Sequence, residues 1–154
     1  CRKGHVNVVQ LLLARIEIDI NQAMQGGATP LFIACQHNRV NAVQVLLARK
    51  EIDINQAAKD GFTPLYAACM SGHVGVARLL LTKKEIQINR ANDFGATPLY
   101  AACTYGHVDV VRLLLASEEI DINKEVHGFT PLQFAQAEGY TEIVALLQHA
   151  HQEL

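Results

Sequence analysis

A period of 34 residues runs along the chain and constrains its fold more than any other feature. Thr-Pro-Leu recurs at spacings of 34, 34 and 33 residues, beginning at Thr29, Thr63, Thr97 and Thr130. Ile-x-Ile-Asn recurs at a constant spacing of 34 residues, ending at Asn21, Asn55, Asn89 and Asn123. Markers that keep one register indicate a tandem array, in which each unit buries its apolar side against its neighbours.

Each unit has the local signals of two short helices, as residues 63–84 illustrate. Thr63 can accept a hydrogen bond from a free backbone N–H group, and Pro64 fits the first helical position. Gly72 is expected to end this first helix, because glycine adopts a positive φ at little cost. A second helix is predicted from about His73, with four apolar residues facing inward: Val74, Ala77, Leu80 and Leu81. The segment 86–89 that follows is predicted to be extended.

Composition excludes several classes of protein. The chain has 154 residues with 13 basic and 15 acidic side chains, a formal charge of −2, which argues against a nucleic-acid binder. Half of the residues are hydrophobic, so the chain is not disordered. The longest apolar run covers six residues, 65–70, far too few to cross a bilayer. The chain begins with Cys1 and not with methionine, so we expect a fragment of a longer protein.

Two segments of the second full unit resemble the ankyrin repeat. Residues 63–68, Thr-Pro-Leu-Tyr-Ala-Ala, match the family's Thr-Pro-Leu-His-x-Ala, and 72–80 match its Gly-His-(Leu/Val) helix. The resemblance implies an all-α repeat solenoid, a stack of helix-turn-helix units with projecting β-hairpin or loop turns. We expect a partial repeat over 1–20 with a second helix only, repeats over 21–54, 55–88 and 89–122, and a capping repeat over 123–154. The tetratricopeptide repeat has the same period but lacks both recurring motifs.

The chain departs from the ankyrin pattern at the family's first-helix histidine. Other residues occupy this position in the four units, and they are Phe32, Tyr66, Tyr100 and Gln133. We expect packing to replace the hydrogen bonds that the histidine makes between units. The last unit carries polar residues such as Gln136 and Glu138 where earlier units are apolar or small, which predicts a solvent-facing cap and a natural C-terminus.

Four cysteines occupy one column of the array, at Cys1, Cys35, Cys69 and Cys103. Stacked helices lie roughly 8–10 Å apart, too far for a disulfide, so these residues are predicted to be small core residues with free thiols. Free thiols favour an intracellular location, cytoplasmic or nuclear. Cys69 with His73, and Cys103 with His107, have the i, i+4 spacing of a metal site or a catalytic dyad. Gly72 and Gly106 interrupt the helix within each pair, which argues against both alternatives.

A column of glutamates could suggest acid–base chemistry or calcium binding, and its members are Glu17, Glu51, Glu85 and Glu119. A solvated edge, partly balanced by neighbouring lysines and arginines, is the favoured interpretation. The sequence contains no phosphate-binding loop, Gly-x-Ser-x-Gly elbow or Cys-x-x-Cys pair. We therefore predict a protein that is not an enzyme and needs no cofactor.

The resemblance implies a non-catalytic protein–protein interaction module that binds a protein partner through its concave face and its turns. The matching positions are Gln25, Gln36, His37, Lys59, Asp60, Phe62, Met70, Asp93, Phe94, Thr104, Tyr105, His127, Phe129 and Glu138. The expected partner is a protein, with no nucleic acid and no membrane insertion. The chain is expected to be monomeric, with association through its exposed N-terminal end as the alternative.

Two other interpretations stay open at this point. The segment could be the regulatory or targeting part of a larger enzyme, channel or effector protein. The family resemblance also suggests asparagine hydroxylation at Asn21, Asn55, Asn89 or Asn123.

Overall fold

The computed structural model describes Asn7, Gln10 and residues 18–153. Most of the partial repeat expected over 1–20, together with Cys1 and Glu17, lies outside the described residues. The described part contains four consecutive helix pairs, each preceded by a projecting turn that we call its tip. The pairs are α1 (Pro30–Gln36) with α2 (Val40–Leu47), α3 (Pro64–Met70) with α4 (Val74–Leu81), α5 (Pro98–Thr104) with α6 (Val108–Leu115), and α7 (Pro131–Ala137) with α8 (Thr141–Glu153).

The first helix of every pair begins at the predicted threonine and proline. Each threonine Oγ1 accepts a hydrogen bond from the backbone N–H three residues later, at 3.1–3.2 Å. At Thr130 the Gln133 side chain also accepts from the threonine N–H, which completes a capping box. The helix starts predicted from Thr-Pro are therefore confirmed.

The first helices end in a residue with a positive φ. Gly72 has a φ of 71°, as predicted, and Gly106 and Gly139 have nearly the same value. The first pair uses Asn38 at this position, with a φ of 54°. Asparagine is one of the few non-glycine residues that adopts this conformation readily, so the same reversal forms in all four pairs.

The helices form two rows, because first helices stack on first helices and second helices on second helices. Buried leucines fill the space between the rows, and the largest of them are Leu31, Leu46, Leu65, Leu80, Leu99 and Leu114. The prediction for α4 is partly wrong. Ala77 and Leu80 are buried together with Val76, whereas Val74 and Leu81 are only half-buried and pack at the edge of the core.

Residues 86–89 do not form a strand, and the described part of the chain contains no named strand. Their backbone groups bond to an asparagine side chain of the preceding unit and not to a neighbouring strand. Asn55 Oδ1 accepts from the Gln87 N–H at 2.9 Å, and its Nδ2 donates to the Glu85 carbonyl at 2.7 Å. Asn21 and Asn89 make the same pair of bonds one unit earlier and one unit later. These asparagines therefore join adjacent units along one edge of the stack.

The tips are closed turns with hairpin-like hydrogen bonds. The first three tips are each closed by a bond between residues four apart, for example from the Ala58 N–H to the Phe62 carbonyl at 2.8 Å. The fourth tip is one residue shorter and closes between Val126 and Phe129. Neighbouring tips are also joined, since the Asp93 N–H donates to the Asp60 carbonyl at 3.0 Å. The backbone of the tips is therefore held in place independently of their exposed side chains.

Candidate functional site

The three described cysteines are buried free thiols inside the stack, as their column predicts. Burial raises the pKa of Cys103 to about 12 and raises the pKa of Cys35 and Cys69 further. A thiol needs to ionise before it can act as a nucleophile or a metal ligand, so this environment opposes both roles. Among the described residues, no group of three His, Cys, Asp or Glu side chains could hold a metal ion.

The histidines of the second and third pairs connect units. His73 Nε2 lies 3.2 Å from the Gln36 carbonyl, and His107 Nε2 lies 3.0 Å from the Met70 carbonyl. Both residues occupy the N-cap position of a second helix, but neither side chain caps it. The expectation that packing would replace hydrogen bonds between units is therefore incomplete, because these rings supply such bonds from a different position.

The glutamate column lies on an exposed edge, as expected, for Glu51, Glu85 and Glu119. Arg49 Nε lies 3.6 Å from Glu51 Oε2, which is one of the predicted balancing contacts. Lys83 behaves differently from the expectation. Its Nζ donates to the Leu47 carbonyl at 2.9 Å, at the C-terminal end of the second helix in the preceding pair. A cation is favourable there because the carbonyl end of a helix is negative.

We use the term first-helix face for the side of the stack formed by the tips and by the exposed sides of the first helices. The predicted partner-binding residues lie on these elements. Those that are exposed are Gln25, Lys59, Asp93, Phe94, Tyr105, His127, Phe129 and Glu138. Those that are half-buried are Gln36, His37, Asp60, Phe62, Met70 and Thr104.

Three of the exposed residues are large aromatics at the C-terminal half of this face. Phe94 is 61% exposed, Tyr105 is 56% exposed and Phe129 is 52% exposed. The other large apolar residues that the described part exposes to a similar degree are Ile18 and Met24. Exposed aromatic side chains in one region are the residue type that most often anchors a protein interface.

A buried cluster supports this part of the face. Ala96 of the third tip and Val126 of the fourth tip pack in one cluster with Tyr66 and Tyr100. The Tyr100 ring lies 5.7 Å from the Phe134 ring, between centroids. Because Ala96 and Val126 fix the two tips against each other, the exposed Phe94 and Phe129 beside them belong to one continuous surface.

Phe62 and Met70 are less available than the sequence suggested. The Phe62 ring lies 4.9 Å from the Tyr66 ring, between centroids, and both Phe62 and Met70 pack against the buried cluster. Burial, reinforced by nearby Tyr105 and Cys69, raises the pKa of Tyr66 to about 12. The Tyr66 hydroxyl is therefore neutral at physiological pH and carries no charge onto the face.

Tyr105 lies on a support that is itself fixed. Its ring is nearly parallel to the His107 ring, with an interplanar angle of 21° and 6.3 Å between centroids. His107 is held by its bond to the Met70 carbonyl and lies against Gly72, where an added Cβ would approach the imidazole to 2.7 Å. One side of the Tyr105 ring is therefore backed by the protein, while much of the side chain stays open to solvent.

The sequence gave no indication of an exposed apolar residue at Met24. This side chain is 63% exposed and lines a shallow groove with Ile33, Gln36 and His37 at the first tip. Its equivalents Asn92 and Val126 are buried in the later tips, so the repeat pattern predicts an inward position. The exposure of Met24 follows from its place in the stack, which the residue type does not encode.

Comparisons with known proteins agree with the architecture. A search of curated proteins finds no match to the chain. No helix in residues 18–153 is long and apolar enough to cross a membrane. A family model described as ankyrin repeats (3 copies) matches residues 1–92 and again residues 86–154. The chain belongs to the ankyrin repeat family.

Proposed function

We propose that this chain is a non-catalytic module that binds a protein partner through its first-helix face, with Phe94 and Tyr105 as the main anchors. Ankyrin repeats are in general protein-interaction modules and are typically non-catalytic. The observation that carries the proposal is the exposure of Phe94, Tyr105 and Phe129 on one surface of a stack whose interior is closely packed. Leaving such large apolar side chains in water is unfavourable, and burial against a partner removes that cost.

The separation between folding and surface residues supports the same function. The buried positions repeat with the 34-residue period, whereas the tip residues differ from one unit to the next. The tips are held by backbone hydrogen bonds, so their side chains are free to contact a partner. A rigid backbone with variable side chains reduces the entropy that is lost on binding.

The experiment that tests this proposal compares three forms of the protein as baits. The wild type, the double variant Phe94→Ala/Tyr105→Ala and the control Arg78→Ala/Arg112→Ala are each used to capture proteins from an extract of the source cells. The control residues lie on second helices, and the Arg112–Glu142 ion pair is exposed, so its loss has little effect on stability. Quantitative mass spectrometry identifies the captured proteins, and affinities are then measured with the purified partner.

We expect the aromatic double variant to bind the partner at least tenfold more weakly, about 1.4 kcal/mol, with a melting temperature close to that of the wild type. The arginine double variant should retain its affinity. A partner whose binding depends on the arginines and not on Phe94 and Tyr105 would assign the interface to the other side of the stack. Capture that is insensitive to both variants would exclude both surfaces.

A further inference from the structure

We propose that the C-terminal part of the first-helix face binds an arginine-bearing segment of the partner protein. This inference rests on the proposed function and adds the chemistry of the bound segment. We use the term acidic aromatic patch for the surface formed by Phe94, Tyr105 and Phe129 with the carboxylates Asp93, Glu125 and Glu138. The first argument comes from the arrangement of charge, the second from the aromatic rings.

The three carboxylates of the acidic aromatic patch are exposed, and none forms an ion pair with any residue that the structure describes. Asp93 lies on the third tip, Glu125 at the start of the fourth tip, and Glu138 at the C-terminal end of α7. The net charge of the patch itself is therefore negative. A complementary partner segment is positively charged.

Several cations that could have balanced these carboxylates bind elsewhere on the protein. Lys83 donates to the Leu47 carbonyl, and Arg112 pairs with Glu142 at 2.9 Å. Arg90 donates to the Asn55 carbonyl and to the Gln87 side chain. On the tips the cation is Lys59, one unit before the patch. Charge is thus segregated, with these cations engaged in internal contacts and the patch carboxylates available to a partner.

The aromatic rings supply a second feature that suits a cation. A cation positioned over an aromatic face is attracted by the ring quadrupole, by about 0.5–1 kcal/mol at an exposed site and more when water is excluded. Tyr105 is backed on one side by His107 and is open elsewhere, so its position is fixed before binding. Phe94 and Phe129 are the neighbouring apolar surfaces that would exclude water around a bound side chain.

Arginine satisfies both features better than lysine does. Its guanidinium group is planar, stacks on aromatic rings and donates two parallel hydrogen bonds to a carboxylate. The lysine ammonium group is more strongly hydrated and cannot stack in this way. A patch that combines rings with unpaired carboxylates therefore selects arginine among the cationic residues.

Four fluorescein-labelled synthetic peptides test the proposal by fluorescence anisotropy with the full chain. They have one common backbone of alanine and serine, interrupted at the same positions by arginine, by citrulline, by lysine or by leucine. Citrulline keeps the shape of arginine without its charge. We expect the arginine peptide to bind at least tenfold more tightly than the citrulline peptide, and several-fold more tightly than the lysine peptide, at low ionic strength.

Two variants locate the binding, and a third serves as the matched control. Asp93→Asn/Glu138→Gln removes two patch carboxylates, and Tyr105→Leu removes a ring but keeps an apolar side chain. Glu85→Gln/Glu118→Gln removes two exposed carboxylates that follow the second helices, away from the tips. We expect the first variant to weaken the arginine peptide at least tenfold, Tyr105→Leu to weaken it severalfold, and the control to leave its affinity unchanged.

The outcomes separate this inference from the proposed function. Equal affinities for arginine and citrulline, or for arginine and lysine, would overturn the assignment of arginine. Equal losses from the patch variant and its control would show attraction to overall negative charge, and would also overturn it. If the leucine peptide binds best and depends on Phe94 and Tyr105, the interaction surface stands and the arginine segment does not.

Discussion

Helices α5 and α7 have the same starting motif and the same register, yet they differ in burial. In α5 the six residues from Pro98 to Cys103 are all buried, whereas in α7 only Pro131 and Ala135 are. Both helices begin with a threonine cap of the same geometry. The difference lies in their neighbours, because α5 stacks between α3 and α7 while α7 packs on α5 on one side.

This contrast shows how labour is divided between local sequence and stacking. Local signals suffice to start and end a helix, whether or not it is surrounded. Burial depends on the units on both sides, so the apolar contacts that stabilise the interior weaken towards an end of the array. The polar Gln133, Gln136 and Glu138 of α7 occur where that stacking is missing.

The largest expected effect concerns thiol reactivity at one register position. Cys35, Cys69 and Cys103 occupy this position in the first three pairs, and the exposed Gln136 occupies it in the fourth. We expect Cys69 and Cys103 of the native protein to react about a thousandfold more slowly with Ellman's reagent than after unfolding, since labelling requires local opening by about 4 kcal/mol. Absorbance during the reaction measures the rates.

A single substitution provides the internal control for this comparison. Gln136→Cys introduces a thiol at the same register position of α7, and we expect it to react in the native state at the rate of an unfolded thiol. If the introduced thiol were also protected, α7 would be covered in solution, and the contrast with α5 would not hold. Fast labelling of Cys69 in the native protein would contradict the packed stack.

The second effect compares two leucines that follow the proline of their helices. Leu99 in α5 is fully buried, whereas Leu132 in α7 is half-buried. We expect Leu99→Ala to lower the free energy of unfolding by roughly 2–5 kcal/mol, because it leaves a cavity between stacked helices. Leu132→Ala should cost about half as much or less. Urea denaturation followed by circular dichroism measures both values, and equal losses would show that the last pair is packed as tightly as the interior.

Much of this fold follows from the sequence because its determinants are local or periodic. Thr-Pro and the positive-φ glycines fix the helix ends, and the 34-residue period identifies the buried columns. Exposure of the aromatics could not be predicted in the same way. Phe62 and Phe129 hold equivalent positions before a threonine, but Phe62 packs on Tyr66, whereas Phe129 has Gln133 at the position equivalent to Tyr66. A packing partner on another turn therefore decides whether the residue is exposed.

The bonds between units were also beyond the sequence. The His107 ring reaches a carbonyl 37 residues earlier in the chain, and the Asn55 side chain bonds to backbone groups 30 and 32 residues later. Such partners depend on the offset between stacked units, which the period alone does not specify. The period placed the asparagines in a column without indicating that their side chains join the units.

The smallest effect of this series compares Asn55 with Asn123, which have the same residue type and register. Asn55 makes two side-chain bonds to the next unit, to the Glu85 carbonyl and from the Gln87 N–H. No described residue bonds to the Asn123 side chain, although its N–H donates to Asp121 Oδ1. We expect Asn55→Ala to lower the free energy of unfolding by about 1–2 kcal/mol, since each hydrogen bond contributes about 0.5–1.5 kcal/mol net.

The matched variant Asn123→Ala should change the free energy of unfolding by less than about 0.5 kcal/mol, as is usual for a surface substitution. Thermal unfolding resolves the two, because 1 kcal/mol corresponds to roughly 2–4 °C in a chain of this size. Water can replace part of what Asn55 provides, since its bonds lie at an exposed edge, so the loss stays below that of Leu99→Ala. If both asparagine variants melted together, the bonds between units would contribute nothing measurable, and the interior would owe its stability over the last pair to apolar packing alone.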